Sequence, residues 1–409
     1  MSNLIVGIDV GTTKICTLVG ELTSDDAVHI IGVGQAPARG LRRGVVVNIT
    51  DATAAIGESI HRAEEAAGQR VERAFVSVSG NHIGCTSSHG VAAARKAQHG
   101  ITHEDVERAL EAARAIAIPH NRDIIYTAPR AWTVDEQQGV RDPVGMHGFR
   151  LEVDAQVITG AASSVANLVN CVTSHDVEVE DLVLSSLAAA EAVLTTAERE
   201  MGVALSDIGG GTTDIAIFLD GAPYHVVVLD VGGNHLTQDL AVGLHTPFKV
   251  AENLKLRYGS LDPVAQPADE LIQISQFGDQ GSEQVQRRFL AEILQARGEE
   301  MVELILREIK RSGYDGLLPA GVVLTGGAAQ LPGWVDLGRQ ILQMPVRIGV
   351  PKSQISGLRE ELRNPMHAAS VGLLLWGSQQ RHPGRQRNAP SPFLERVVHW
   401  LRNLLPDPH

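Results

Sequence analysis

Two stretches of the chain share one pattern: an apolar strand, an aspartate, a glycine-containing hairpin with paired threonines, and a second apolar strand. The first is VGIDVGTTKICTLVG at residues 6–20, and the second is SDIGGGTTDIAIF at residues 206–218. Short apolar runs bounded by glycine are typical of buried strands. Because the pattern occurs twice, about two hundred residues apart, the sequence predicts two similar half-domains that face one ligand.

The second hairpin has the composition of a phosphate-binding loop. Glycine lacks a Cβ, so the backbone of Gly209, Gly210 and Gly211 can approach an anion closely and direct N–H groups at it. Thr212 and Thr213 follow and add hydroxyl groups. An ordinary glycine hairpin would explain this segment alone. A third apolar run, GVVLTGGAAQLPGW at residues 321–334, meets paired glycines and then opens a helix, which suits the sugar or phosphate of a nucleotide.

The remaining apolar patterns define the other elements. They predict strands at 4–10, 15–20, 28–35, 74–79, 124–134, 151–160, 181–184 and 223–230. They predict helices at 51–67, 102–118, 188–195, 246–259, 282–314 and 364–377. Asp51 and Thr246 are the predicted N-caps of two of these helices, and Thr102 begins a capping box.

In this order and spacing, the three glycine motifs resemble those of the actin-type ATPase superfamily. Within it, the chain resembles the FtsA family, because the phrases VSVSGNHIG and VGMHGFRLEV look like the borders of that family's inserted subdomain. The resemblance covers about residues 3–405. It implies an α/β, actin-like fold, a duplicated ribonuclease H-like unit, with two lobes around a nucleotide cleft, a 1C insertion and a C-terminal amphipathic helix.

The resemblance also implies domain boundaries. The first lobe occupies residues 1–83 and 159–200, and the 1C-type insertion lies between them at 84–158. The second lobe occupies 201–377, with its 2B part at about 233–315. A flexible linker at 378–391 and an amphipathic helix at 392–406 follow.

By the same resemblance, ATP and Mg²⁺ are the expected cofactors. Asp9 and Asp207 would lie near Mg²⁺, through water, and are the candidate catalytic residues. The pair Glu252 and Lys255 would hold the ribose and adenine, unless it is only a surface ion pair. The expected nucleotide contacts are Gly11, Thr12, Thr13, Lys14, Gly209, Gly210, Gly211, Thr212, Thr213, Glu252, Lys255, Gly326, Gly327 and Ala328.

The expected catalytic power is small. Relatives that hydrolyse ATP quickly have Glu or Gln just before the connecting helix, and Ser186 aligns with that position. Because a serine without a partner is not a general base, we expect at most a slow ATPase.

Composition excludes several other classes. The net charge of −13 argues against a nucleic-acid groove, since phosphate repels an acidic surface. The three cysteines are scattered and form no disulfide framework, as expected for a reducing cytosol. The N-terminus lacks the basic region of a signal peptide. No run of about 18 apolar residues predicts a membrane span.

The tail has a strongly amphipathic pattern. Residues 378–391 are polar and basic, and residues 392–405 place their apolar side chains in one arc of a helix. The arginines of this region and a tryptophan near its edge favour an interface with anionic lipid over docking on a partner or on the chain's own body. The predicted membrane-facing residues are Phe393, Leu394, Val397, Val398, Trp400, Leu401, Leu404 and Leu405.

The resemblance implies a cell division protein that self-associates and tethers FtsZ to the cytoplasmic face of the inner membrane at the division site. FtsZ would bind the second lobe, and further division proteins are possible partners. Two alternatives stay open: a PilM-like, ATP-binding assembly protein of a pilus or secretion system, and a small-molecule kinase of the same fold.

Overall fold

The first lobe is built on a mixed, five-stranded sheet. The computed structural model describes residues 3–23, 27–94, 100–115, 118–267, 269–275, 282–352 and 360–381. The first elements of the lobe are β1 (Leu4–Val10), β2 (Lys14–Leu22), β3 (Val28–Pro37), β4 (Leu41–Arg42), β5 (Val45–Val46), α1 (Ile49–Ala67) and β6 (Arg73–Val78). Strands β1, β2 and β3 form an antiparallel meander, and β6 pairs with β1 in parallel. The alternating apolar runs thus place the Asp9 hairpin at one edge of a buried sheet.

The insertion forms its own four-stranded antiparallel sheet, with one helix on it. Its elements are β7 (Gly84–Ala93), α2 (His103–Arg114), β8 (Arg122–Val134), β9 (Gln137–Val140) and β10 (Arg150–Ala161), and the strand order is β7-β10-β8-β9. A separate apolar cluster around Trp132 and Leu151 forms its core. The predicted α+β insertion is therefore present.

The chain then returns to the first lobe through α3 (Ala162–Thr173), β11 (Glu178–Leu184), α4 (Ser185–Val193) and α5 (Thr196–Met201). Strand β11 completes the first sheet, whose order is β11-β6-β1-β2-β3.

The second lobe repeats the topology of the first. It contains β12 (Val203–Ile208), β13 (Thr213–Leu219), β14 (Ala222–Leu229), α6 (Gly233–Gly243), α7 (Phe248–Tyr258), β15 (Leu271–Ser275), β16 (Ser282–Gln286), α8 (Arg287–Arg311), β17 (Val322–Thr325), α9 (Trp334–Leu342), β18 (Val346–Ile348) and α10 (Ala368–Arg381). Its sheet order is β14-β13-β12-β17-β18, with the same antiparallel meander followed by two parallel strands. This match confirms the duplicated fold predicted from the two hairpins.

The helices α4 and α10 cross at very short range between the lobes. A Cβ on Gly372 would lie 1.7 Å from the carbonyl oxygen of Ala188, so the crossing requires glycine. Glycine in α10 therefore serves close helix packing. No helix in the described ranges is long and apolar enough to cross a membrane.

Several predicted element boundaries were wrong. Asn48, not Asp51, is the N-cap of α1, and its side chain accepts a hydrogen bond from the Asp51 amide. Pro247 is the N-cap of α7, because Thr246 is fully buried and its amide closes the preceding turn onto Ala241. Residues 282–286, expected to be helical, form β16, which pairs with β15.

The final helix also extends beyond its expected end. Residues 378–381, assigned to the flexible linker from sequence, are the last turn of α10. Arg381 makes an ion pair with Glu180 at 3.0 Å and donates a hydrogen bond to the Leu4 carbonyl. These contacts to the first sheet hold the last turn in place, so Arg381 does not belong to the linker.

Candidate functional site

Both glycine hairpins are closed by the same hydrogen bond. In the first, the Gly11 amide donates to the Lys14 carbonyl at 3.1 Å. In the second, the Gly209 amide donates to the Thr212 carbonyl at 2.9 Å. This closure turns each chain sharply at the end of its strand. The similar local sequence therefore produces the same turn in both lobes.

The tips of the two hairpins meet across a cleft. A Cβ on Gly210 would lie 2.0 Å from the Thr13 hydroxyl oxygen, so a side chain there would force the tips apart. Within the described residues, the tip amides at positions 12, 13, 210 and 211 have no protein acceptor. Unpaired N–H groups on two facing turns are suited to binding an anion.

The cleft has a volume of about 550 Å³ and lies between the lobes. It brings together most of the residues expected from sequence. Those that line it are Asp9, Gly11, Thr12, Thr13, Lys14, Asp207, Gly209, Gly210, Thr212, Glu252, Lys255, Gly326, Gly327 and Ala328.

Two expected contacts do not line the cleft. The side chain of Thr213 is buried and its hydroxyl donates to the Val231 carbonyl at 2.8 Å, because residue 213 already belongs to β13 and points into the lobe. Gly211 instead packs beside Thr12 and the backbone of Arg43. The eight predicted membrane-facing residues, from Phe393 to Leu405, lie outside the described residues.

Carboxylates lie at the strand ends of both lobes. Asp9 accepts hydrogen bonds from Ser77 at 2.9 Å and from Ser370 at 2.7 Å, which fix its position. Burial raises the pKa of Asp207 well above its ordinary value, and the charges of Asp214 and Asp9 raise it further. Negative charge is therefore concentrated in this part of the cleft, where a cation would relieve it.

Asp214 is a site residue that the sequence reasoning missed. Burial raises its pKa to about 6, although hydrogen bonds from Ser79 and Thr212 oppose the rise. Ser79 donates to Asp214 at 2.8 Å, which joins the first lobe to the second beside the cleft. The signal was available, since Asp214 directly follows the paired threonines of the second hairpin.

This donor set fits Mg²⁺ held through water rather than directly. Within the described residues, no group of three or more His, Cys, Asp or Glu side chains is placed to hold a metal. Mg²⁺ usually keeps several waters and binds through one or two carboxylates together with substrate phosphates. Asp9, Asp207 and Asp214 all line the cleft and could hold such waters.

Lys14 is positioned at the first hairpin by contacts to the short helical turn Pro365–His367, which directly precedes α10. Its Nζ donates to the Met366 carbonyl at 2.9 Å and lies 3.0 Å from Nδ1 of His367. Burial lowers the pKa of Lys14, while the neighbouring charges of Cys16, Asp9 and Asp207 raise it. A partly buried ammonium here can contact a phosphate oxygen.

A polar network on α6 and α7 lines the same cleft. Lys255 Nζ lies 2.8 Å from Glu252, donates to Thr237 at 2.8 Å, and donates to the Gly233 carbonyl at 3.1 Å. Thr237 also donates to Glu252. The pair is therefore fixed within the cleft and is not a mobile surface ion pair. Leu256 beside it is 72% exposed and lines the same space.

The serine that lines the cleft at the start of α4, the connecting helix, is not the one expected from sequence. Ser186 is fully buried and does not line the cleft, whereas Ser185 does. Ser185 Oγ makes one contact to the Val78 carbonyl, at 3.4 Å. A carbonyl is too weak a base to remove the proton of a serine hydroxyl. The start of the helix therefore has only a weak catalytic group, whether Ser185 or Ser186 is considered.

Duplicated sheets, facing hairpins and an inter-lobe cleft define the class: an actin-like, nucleotide-binding fold. Solved structures agree. A PilM–PilN type IV pilus biogenesis complex is similar over 93% of this chain and 99% of that chain, with a TM-score of 0.67 and 18% identity. MreB5 of Spiroplasma citri bound to AMPPNP is similar over 99% and 100%, with a TM-score of 0.52 and 14% identity. At these identities the likeness concerns the fold alone.

The chain belongs to the FtsA family of cell division proteins. The model of the family "Cell division protein FtsA" matches residues 204–372, and that of the "SHS2 domain inserted in FTSA" matches residues 80–159. The cell division protein FtsA of Pseudomonas aeruginosa is 42% identical over 98% of this chain and 97% of that protein. FtsA of Escherichia coli K12 is 33% identical over the same shares.

Proposed function

We propose that this protein binds ATP with Mg²⁺ between its lobes, self-associates, and tethers FtsZ to the cytoplasmic face of the inner membrane at the division site. The observation that carries the proposal is the cleft, which is lined by two facing hairpins whose tip amides have no acceptor among the described residues and by a fixed Glu–Lys pair. Family membership supports the division role.

Each group in the cleft has a distinct task in this proposal. The hairpin amides at residues 12, 13 and 210 and the Lys14 ammonium bind the phosphates. The carboxylates of Asp9, Asp207 and Asp214 hold the waters of Mg²⁺, which neutralises phosphate charge when bound. Glu252 and Lys255 hold the sugar and base. These contacts come from both lobes, so binding favours the closed state of the cleft.

Turnover is slow in this proposal. At the start of α4, the Ser185 hydroxyl lines the cleft, and it donates its hydrogen bond to the Val78 carbonyl, which is not a base. Bound nucleotide then acts mainly by shifting the population of lobe arrangements towards the one that self-associates, rather than by supplying energy through rapid hydrolysis.

The tail provides the membrane contact. Its amphipathic helix at residues 392–406 would lie in the lipid interface, with the eight apolar residues named above buried. Arg385 and Arg387 in the linker would each add about 1 kcal/mol of attraction to anionic lipid near the surface. One such helix binds weakly, but many on one polymer bind with avidity.

The second lobe is the proposed FtsZ-binding surface. Apolar side chains are exposed along its α6–α8 region, including Val242, Phe248, Leu271 and Phe289. We infer that the C-terminal peptide of FtsZ docks here. Other division proteins would bind elsewhere on the same polymer.

Flotation with anionic liposomes tests the tether. The full chain, a version ending at Ala389 and a Leu401→Glu variant are compared, each with and without ATP. We expect only the unaltered full chain to float, and more so with ATP because self-association adds avidity. Equal flotation of all three, or of none, would contradict the membrane role of the tail.

Three further assays test this function against its rivals. Calorimetry with ATP, with and without Mg²⁺, tests the cleft itself. Binding of the C-terminal peptide of FtsZ to the full chain tests the division partner, because a pilus-assembly protein would not bind that peptide. Phosphorylation of a sugar or acid in a metabolite screen would point to a kinase instead.

A further inference from the structure

A short turn of the first lobe lies against the tips of both phosphate hairpins. It joins β4 to β5 at residues 42–45. The Gly44 amide donates a hydrogen bond to the Thr12 hydroxyl of the first hairpin at 3.1 Å, and Gly44 lines the cleft. On the other side, a Cβ on Gly211 would lie 3.1 Å from the Arg43 Cα. The turn therefore touches both lobes where the phosphates of a nucleotide would lie.

Arg43 continues this contact into the second lobe. Its guanidinium forms an ion pair with Asp230, which directly follows β14. Arg43 also has a φ of 49°, in the left-handed region that non-glycine residues rarely adopt. Contacts to both lobes hold Arg43 in this sparsely populated backbone conformation, so its position is fixed rather than that of a loose surface residue.

Asp230 is itself connected to the second hairpin. The next residue, Val231, accepts the Thr213 hydroxyl at 2.8 Å, and the Gly233 amide donates to the Gly209 carbonyl at 2.9 Å. Within the described residues, the Oδ1 atom of Asp230 is buried and has no partner. The Arg43 guanidinium thus compensates the charge of this carboxylate, and loss of the ion pair would alter the position of the second hairpin.

We propose that the Arg43–Asp230 ion pair is a latch that holds the two lobes together over the phosphate end of the cleft and sets the rate at which nucleotide leaves. The inference rests on the proposed nucleotide binding. The pair spans the lobes, so it persists only while they are together. Its side chains are 43% and 32% exposed, so it can separate without disturbing a core.

A second contact between the lobes, between Ser79 and Asp214, differs from the latch in its burial. Ser79 and Asp214 are both buried, and their hydrogen bond of 2.8 Å lies inside the closed interface. That bond also holds the lobes together, but its two side chains are buried and it is a hydrogen bond rather than an exposed ion pair. The latch is accessible, and salt screens exposed ion pairs. Release of nucleotide should therefore accelerate with ionic strength through the latch.

The test is stopped-flow displacement of a fluorescent ATP analogue from the full chain. The variants are Arg43→Ala, Asp230→Asn, the double variant, and Arg42→Ala as a matched control in the same turn. We expect release about two- to fivefold faster in each latch variant, the range for a partly exposed ion pair. The double variant should be no faster than either single variant, because both remove one interaction. Arg42→Ala should release nucleotide at the unaltered rate.

Each outcome decides between the alternatives. Unchanged release in both single variants, or rates that multiply in the double variant, would overturn the latch. Raising NaCl from 50 to 500 mM should accelerate release more from the unaltered protein than from Arg43→Ala, in which only the charge contacts to the phosphates are left to be screened; equal acceleration of both would also overturn the latch. If the unaltered protein does not bind the analogue at all, the proposed nucleotide function fails, and that result is distinct from a failed latch.

Discussion

Replacement of Gly326 by alanine is the sharpest test of how the cleft is built. Gly326 follows β17 and has φ 90° and ψ 169°, a conformation that is essentially restricted to glycine. A Cβ there would lie 2.3 Å from the Asp207 carboxylate and 2.5 Å from the Ile208 carbonyl. The substitution therefore strains the backbone and pushes on the strand end that carries a candidate metal-site residue.

The expected cost follows from these two terms. A non-glycine residue in this region costs about 1–3 kcal/mol. Overpacking against atoms that cannot move freely costs about 1–3 kcal/mol more. The free energy of unfolding of the second lobe should then fall by about 2–6 kcal/mol, and nucleotide affinity should fall with it, because Asp207 must move.

Gly327→Ala is the matched control. A Cβ at Gly327 meets only Met366, at 3.8 Å, which is ordinary contact. Its unfolding free energy should stay within about 0.5 kcal/mol of the unaltered protein. Urea unfolding followed by circular dichroism, and calorimetric titration with ATP·Mg²⁺, compare the two variants. Equal stability of both would refute the geometric argument.

Three other predictions concern single side chains. Asp207→Asn should stabilise the nucleotide-free protein at pH 7, since the raised pKa makes the ionised carboxylate unfavourable there, yet weaken Mg²⁺-dependent ATP binding about 10–100-fold. Burial alone would raise the pKa of Glu198, but hydrogen bonds from Arg347 and Thr195 outweigh it and lower that pKa to about 2. The ionised Glu198 carboxylate therefore stabilises the fold at pH values above its ordinary pKa of 4.5, and this stabilisation is lost as the pH falls towards 2. Arg347→Met should lower the free energy of unfolding by about 0.5–1 kcal/mol at pH 7 and make it depend less on pH in the acid range. Leu256→Ala should lower nucleotide affinity about fivefold without changing stability, because the side chain lines the cleft but is exposed.

Each of these has a result that would contradict it. A less stable Asp207→Asn protein would show that burial and the neighbouring carboxylates do not disfavour the ionised form of Asp207. An unchanged acid titration in Arg347→Met, measured by urea unfolding from pH 7 to 2, would mean that the ion pair does not set the Glu198 pKa. For the third prediction, Val264→Ala is the control, since Val264 is 85% exposed and lies outside the cleft. Equal affinity of Leu256→Ala and this control would remove Leu256 from the site.

Local sequence predicted the two hairpins and the strands that flank them, because these depend on near neighbours. It did not predict the strands β7, β9, β15, β16 and β18. An apolar run ending in aspartate and glycine produces the same turn in both lobes, closed by the same amide-to-carbonyl bond. The Thr102 capping box is likewise confirmed, since all its partners lie within four residues. The end of α10 was predicted too early, because Arg381 is held by Glu180 and Leu4, which are remote in sequence.

The direction in which each side chain points at the site was not predicted from the sequence. From sequence, Thr212 and Thr213 are equivalent, but the second residue begins β13 and turns into the lobe. Asp214 was overlooked for the same reason, since only its packing against Ser79 of the other lobe brings it to the cleft.

The sequence alone determined that this protein has two similar lobes, each with a glycine hairpin at the end of a buried strand, because turn geometry and strand burial are local properties. Only the tertiary structure decided which side chains share the cleft and that Arg43 meets Asp230, 187 residues further along the chain. Such contacts depend on how the lobes pack, and lobe packing depends on surfaces assembled from many distant segments.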